Sequence, residues 1–206
     1  QFTIMPLGAF LIARLFRLPP EMAVGLILAG CVPGAMASNV MSYIARADAA
    51  YSVSLTTVST MLCPLLTPLL AQLLAGTVLH VPFWPMMIDV LRMVAGPLAI
   101  GLLFRRLLRE RIEPVVEIFP AISVTFIVFI CALVIAGNRS FFSALSPELL
   151  LVIAAVFALN LYGMLAGYGV GKLARFELRR RRTLSIEIGM QNAGMGTVLA
   201  LAHFGE

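Results

Sequence analysis

Charge is scarce in this sequence. Only 12% of its 206 residues are charged, about half of what a water-facing domain carries. Lipid must therefore face much of the chain. Histidine and cysteine are also few, at two and three. There is no His-Glu-x-x-His, and Cys31, Cys63 and Cys131 lie inside apolar runs without metal-type spacing. They read as small buried side chains rather than disulfides or ligands. Asp48 and Asp89 fall at helix ends, not as a facing pair. Intramembrane proteolysis by an Asp pair, a Ser/His dyad or zinc is excluded, and no enzyme activity or cofactor is expected. Residues 1–16 lack a charged leader and cleavage site, which excludes a signal peptide. The chain opens and closes against apolar segments and is expected to be the middle and later part of a longer protein.

What the sequence has instead is apolar length. Hydrophobic residues make up 61%, and the mean hydropathy is +1.00. A spanning helix needs about 20 mostly apolar residues. Residues 1–16, 21–46, 49–79, 84–107, 114–136, 147–173 and 183–204 supply about seven such segments. The second is expected to break at residues 31–35, the third to be interrupted at Pro64 and Pro68, and the last carries Gly189, Gly194 and Gly196. Strand-like alternation is absent, so the fold class is an all-α polytopic membrane protein.

The net charge of +5 does not indicate nucleic acid, because the basic residues cluster between apolar segments. Arg105, Arg106, Arg109 and Arg111 fall in one expected loop; Lys172, Arg175 and Arg179 to Arg182 fall in another. Two helices separate these loops, and the positive-inside rule puts both in the cytoplasm. The intervening links agree, with only Arg139 between them, whereas Arg14 and Arg17 fall on the outer side. Trp84 and Phe83 suit an interfacial position.

The informative residues are polar groups at membrane depth. Glu187 lies inside the last apolar segment, with Gln191 four residues later and Asn192 beyond it. A charge at the centre of a lone helix costs about 2.5–3.5 kcal/mol. It persists where it meets a cavity, a partner or an ion, so an intramembrane carboxylate is functional by default. Upstream, Pro33 removes a backbone donor and Gly34 loosens the chain, which predicts a helix break just before Ser38 and Asn39. Ser52, Thr56 and Ser59 form a hydroxyl stripe on the next helix, extended by Thr60. Two broken helices in two halves of a chain point to a midplane ion and substrate site in a transporter. One carboxylate with amides and hydroxyls is a hard-oxygen set, suited to a hard monovalent cation.

Plain structural roles compete. Hydroxyls in membrane helices bond back to carbonyls, amides join helices, methionines fill gaps and His203 packs at an interface. A proton-coupled carrier or an exporter, including an arsenite-type one using Cys31 near the break, is the alternative transport reading. A passive scaffold leaves Glu187 unexplained.

The stretch Cys31-Val-Pro-Gly-Ala-Met-Ala-Ser-Asn-Val-Met-Ser-Tyr-Ile-Ala-Arg46 resembles the bile acid:sodium symporter family, as do Glu187-Ile-Gly-Met-Gln-Asn-Ala-Gly194 and the opening Gln1-Phe-Thr-Ile-Met-Pro6. The resemblance covers nearly the whole chain in order. It implies a ten-helix fold of two inverted repeats with two discontinuous helices crossing at the midplane. About seven of the ten are expected here. Residues 1–79 and 147–206 would form parts of a core domain, and 84–136 panel helices. The resemblance further implies one sodium site at Ser38, Asn39, Ser52, Thr56 and Glu187. A second would involve Gln1, Gln191 and Glu187 with the carbonyls of Ile188 and Met190. An organic anion would sit near Met36, Ala37, Asn192 and His203, with Met36 standing where some relatives have a small polar residue. The implied protein is a sodium symporter of a bile acid-like or pantothenate-like carboxylate, multi-pass in a bacterial inner membrane.

Overall fold

The computed structural model describes residues 1–79, 81–108, 118–139, 142 and 146–204. Among these there are nine α-helices. They are α1 (Ile4–Leu15), α2 (Pro20–Cys31), α3 (Ala37–Ile44), α4 (Ala49–Leu74), α5 (Phe83–Leu108), α6 (Phe119–Gly137), α7 (Pro147–Leu173), α8 (Leu178–Gly189) and α9 (Ala193–Phe204). The expected break in 21–46 separates α2 from α3, and that in 183–204 separates α8 from α9. Arg109, Arg111 and the start of the 114–136 segment lie outside the described residues.

Two expectations are corrected. The 49–79 segment is not interrupted: α4 runs through both Pro64 and Pro68 and ends in a 3-10 turn at Ala75–Thr77. Pro64 cannot donate to the Thr60 carbonyl, but the Cys63 thiol does so at 3.1 Å, so one freed acceptor is answered locally. The arginines at 179–182 do not lie in a loop. They form the first turns of α8, which begins five residues before the expected segment.

Three corners share one construction. After α1, α3 and α7, an arginine adopts a left-handed backbone: Arg17 (φ 51°), Arg46 (φ 51°) and Arg175 (φ 57°). In each, the next amide reaches back to a carbonyl in the last turn, Leu18 to Ala13 (3.0 Å), Ala47 to Ser42 (2.9 Å) and Phe176 to Gly171 (2.9 Å). This is the Schellman closure, in which glycine is usual. The left-handed conformation costs an arginine about 1–2 kcal/mol. Its cation at a helix C-terminus offsets part of that. The α1–α2 and α7–α8 corners each join a helix to a broken one.

Packing draws the halves together. One apolar cluster gathers Val24 and Leu28 from α2, Val32 just after it, Met86 and Val90 from α5 and Leu199 from α9. The other gathers Met5, Ala9, Leu26, Leu159, Leu184 and Ile188 from α1, α2, α7 and α8. The α7–α8 seam is close because a small-residue stripe, Gly163, Gly167 and Gly171, is buried on α7. At Gly167 a side chain would collide with the backbone of Leu184. Outward faces are apolar: α4, α5 and α7 are long and apolar enough to cross a membrane, and only 6% of the α5 window is buried. The fold is that of an all-α membrane protein.

Candidate functional site

The two breaks meet. Val32 is extended (φ −77°, ψ 160°) at the end of α2, and Met190 is extended (φ −103°, ψ 108°) at the end of α8. Gly34 and Gln191 pair as an antiparallel bridge. The Ala35 amide donates to the Met190 carbonyl at 3.0 Å, and the Asn192 amide donates to the Pro33 carbonyl at 2.9 Å. Groups released by one break are thus satisfied by the other, as an apolar setting demands. The Cys31 carbonyl, freed at the end of α2, accepts from the buried Thr67 hydroxyl at 2.8 Å. The Gly189 carbonyl accepts from Asn160 at 2.8 Å. Sequence reasoning missed Thr67 and Asn160; an amide and a hydroxyl within long apolar spans were the available signal.

Glu187 sits in the last turn of α8 and is 1% exposed. Its Oε2 accepts from Ser38 at 2.6 Å and from Ser52 at 2.9 Å, and its Oε1 from Thr56 at 2.5 Å. The Ser38 hydroxyl also lies 2.7 Å from the Ala35 carbonyl. Thr56 Oγ1 lies 3.0 Å from the Ser52 carbonyl and 3.2 Å from Asn39 Oδ1. A hydroxyl has one proton to donate. Three protons therefore serve six oxygen–oxygen contacts. No Lys, Arg or His is paired with Glu187 among the described residues. Glu187 therefore has hydroxyl partners but no cationic one among the described residues, and its oxygens with those of Ser38, Asn39, Ser52 and Thr56 are of the hard type that could hold a cation. Ser59 does not join it, turning back to the Thr56 carbonyl at 3.0 Å.

A second group adjoins this cluster. Gln1 Nε2 donates to Gln191 Oε1 at 3.1 Å, and Gln191 Nε2 donates to the Ile188 carbonyl at 2.8 Å. Gly34 lies between the groups: a Cβ there would stand 2.7 Å from Glu187 Oε1 and 3.4 Å from Gln1 Oε1. Only an absent side chain lets the oxygens approach, one from Gln1 ahead of α1 and one from Glu187 on α8. The Met190 carbonyl is engaged by Ala35 and keeps one lone pair.

Met36, Ala37 and Asn192 flank the crossing. Met36 is exposed and Ala37 opens α3. Asn192 caps α9, its Oδ1 accepting from the Met195 amide at 3.1 Å. His203 does not belong with them. It lies at the far end of α9, about 16 Å along the helix from Asn192, with Nε2 3.3 Å from Asp89 Oδ2 on α5. A cavity of about 160 Å³ lined by Phe10, Arg14, Arg17 and Val78 is likewise away from Glu187.

Residues 1–145 match the family model of the sodium bile acid symporter family. The chain is 42% identical over 204 residues to an uncharacterized sodium-dependent transporter, YocS, of Bacillus subtilis, covering 99% of this chain and 63% of that protein. It is 36% identical to the probable sodium/metabolite cotransporter BASS1 of Arabidopsis thaliana, covering 100% of this chain and 50% of the relative. With the human P3 protein it shares 31% identity over 98% of this chain and 42% of the relative. The chain therefore spans between 42% and 63% of the length of these relatives. On its motifs, its paired helix breaks and these matches, the chain belongs to the sodium bile acid symporter family.

Proposed function

We propose that this chain carries the ion-coupling site of a sodium-coupled symporter of a small organic anion, working by alternating access. The observation that carries the reading is Glu187, buried without a basic partner among the described residues and ringed by the hydroxyls of Ser38, Ser52 and Thr56. One sodium ion is held by Ser38, Asn39, Ser52, Thr56 and Glu187. A second is held by Glu187, Gln1 and Gln191 with the Ile188 and Met190 carbonyls. A single carboxylate balances a monovalent ion better than a divalent one. The names of the relatives support sodium.

The N-terminal ends of α3 and α9 meet at the crossing, and their dipoles favour an anion near Met36, Ala37 and Asn192. A carboxylate of bile acid-like or pantothenate-like type suits that setting. The core comprises α1–α4 with α7–α9, and α5 and α6 belong to the panel. The arginine-rich end faces the cytoplasm of a bacterial inner membrane. A thiol-based exporter is disfavoured, because Cys31 is buried in an apolar cluster with Val24 and Leu28.

The test is uptake of radiolabelled carboxylates by the full-length protein in sodium or potassium, comparing wild type with Glu187→Ala. Strict sodium dependence lost in the variant is expected. Uptake indifferent to sodium, or to the substitution, overturns the symporter reading.

A further inference from the structure

The three helices around Glu187 each carry a second polar residue one turn nearer the arginine-rich end. On α3, Ser42 follows Ser38 by four residues. On α8, Thr183 precedes Glu187 by four. At the head of α4, Asp48 precedes Ser52 by four. Residues four apart share a helix face, and four residues rise about 6 Å. This second tier is closed over itself. Thr183 Oγ1 accepts from the Asp48 amide at 2.9 Å and lies 3.1 Å from the Asp48 carbonyl. The Ser42 carbonyl accepts from the Ala47 amide at 2.9 Å, which ties α3 to the same link.

The Ser42 hydroxyl is the anomaly. Ser42 is 0% exposed, and its Oγ has no hydrogen-bond partner among the described residues. A buried hydroxyl left unpaired is unfavourable, and membrane helices ordinarily answer it by back-bonding, as Thr56 and Ser59 do. Ser42 is held without that relief, on the face of α3 that already serves Glu187. Beyond it, the Asp48 carboxylate is 29% exposed and meets Arg180 Nε at 3.4 Å, while Arg179 reaches the Ala47 carbonyl at 3.5 Å. Arg180 is 55% exposed, so this pair is easily opened.

We propose that a cation moving between the Glu187 cluster and the arginine-rich side steps through a transient oxygen site at Ser42, Thr183 and Asp48, with the Asp48–Arg180 pair closing its outer end. The proposal rests on the sodium reading of Glu187. Dehydrated sodium needs successive oxygen ligands, and the next carboxylate along this route is Asp48. Opening the pair frees Asp48 Oδ2 to draw the ion from the first tier, while Oδ1 stays on the Tyr51 amide at 3.0 Å, and the Ser42 hydroxyl offers an oxygen lone pair on the way.

The experiment measures radiolabelled sodium exchange across proteoliposomes of the full-length protein, alongside equilibrium sodium binding. Ser42→Ala is expected to slow exchange by about tenfold while shifting equilibrium affinity less than about twofold. Ser42→Val, which fills the space, slows it further. Arg180→Gln, at an exposed position, speeds exchange by about threefold. If all three exchange at the wild-type rate while Glu187→Gln abolishes binding, the route is wrong and the sodium site stands. If Ser42→Ala weakens affinity as much as it slows exchange, Ser42 serves the main site and the route also falls. A wild type that binds no sodium removes both readings.

Discussion

Gly34→Ala is the sharpest perturbation of the crossing. No glycine among the described residues has a positive φ, so alanine adopts the Gly34 backbone without strain and the effect is purely one of space. The added Cβ would stand 2.7 Å from Glu187 Oε1, 0.7 Å inside the 3.4 Å at which ordinary contact begins. The carboxylate cannot yield easily, being fixed by Ser38 at 2.6 Å and Thr56 at 2.5 Å. Overpacking of this kind costs about 1–3 kcal/mol, and if it falls on the ion-bound geometry the sodium affinity drops roughly 5- to 150-fold. Gly25→Ala on α2 is the control, since a Cβ there meets nothing within 4 Å. The assay is a sodium titration of thermal stability on the full-length protein. The expected result is a half-saturating concentration raised at least fivefold for Gly34→Ala and unchanged for Gly25→Ala. A Gly34→Ala protein titrating within twofold of wild type refutes the geometry.

Two further outcomes follow from capping groups. Asn192→Ala removes the acceptor for the Met195 amide at the head of α9 and should lower stability by about 1 kcal/mol. Asn192→Ser recovers most of it, and equal melting of the two variants in detergent contradicts the capping role. At the other end, the Tyr51 amide, with help from Arg180, holds the Asp48 carboxyl below the usual carboxylate range. Its folded pKa is depressed, so its stabilisation is complete above the unfolded value of about 3.9 and is lost as pH falls through the folded value. Asp48→Asn keeps a capping oxygen but not the charge. It should flatten the acid limb of the melting profile below pH ~4; parallel profiles would contradict the assignment.

Legibility followed physics. The spans were readable because apolar length is a one-dimensional signal, and the break at Pro33 because a missing donor is local. The approach of Ser52 and Thr56 to one partner was readable from their spacing of four. What escaped were answers supplied at a distance. Pro64 and Pro68 look like interruptions until the Cys63 thiol and the packed surroundings are seen. Thr67 and Asn160 are ordinary span residues until the carbonyls of Cys31 and Gly189 lose their helical donors. The arginine run resembled a loop by charge alone, yet charged side chains on a helix end are readily solvated. The place of His203 was not legible because a broken helix still has length: α9 carries it away from the crossing to Asp89.

The shortness of α8 bears on how the protein is made. Its 12 residues reach about 18 Å, short of a bilayer core of about 30 Å, and they carry an arginine run and Glu187. Such a segment is a poor candidate for insertion alone. Its partners are synthesised well ahead of it, Ser38 being 149 residues and Thr56 131 residues upstream of Glu187. At ordinary rates of translation that interval is on the order of 10 s. In the folded chain the hydroxyls also have local acceptors, Ser38 the Ala35 carbonyl and Thr56 the Ser52 carbonyl. Such contacts three and four residues apart need no distant partner, so they are open to the hydroxyls before α8 exists. The backbone groups at Pro33 and Ala35 that pair with Asn192 and Met190 depend on the same late-made helix pair, so the break in the first half has its partners only once the second half has been synthesised.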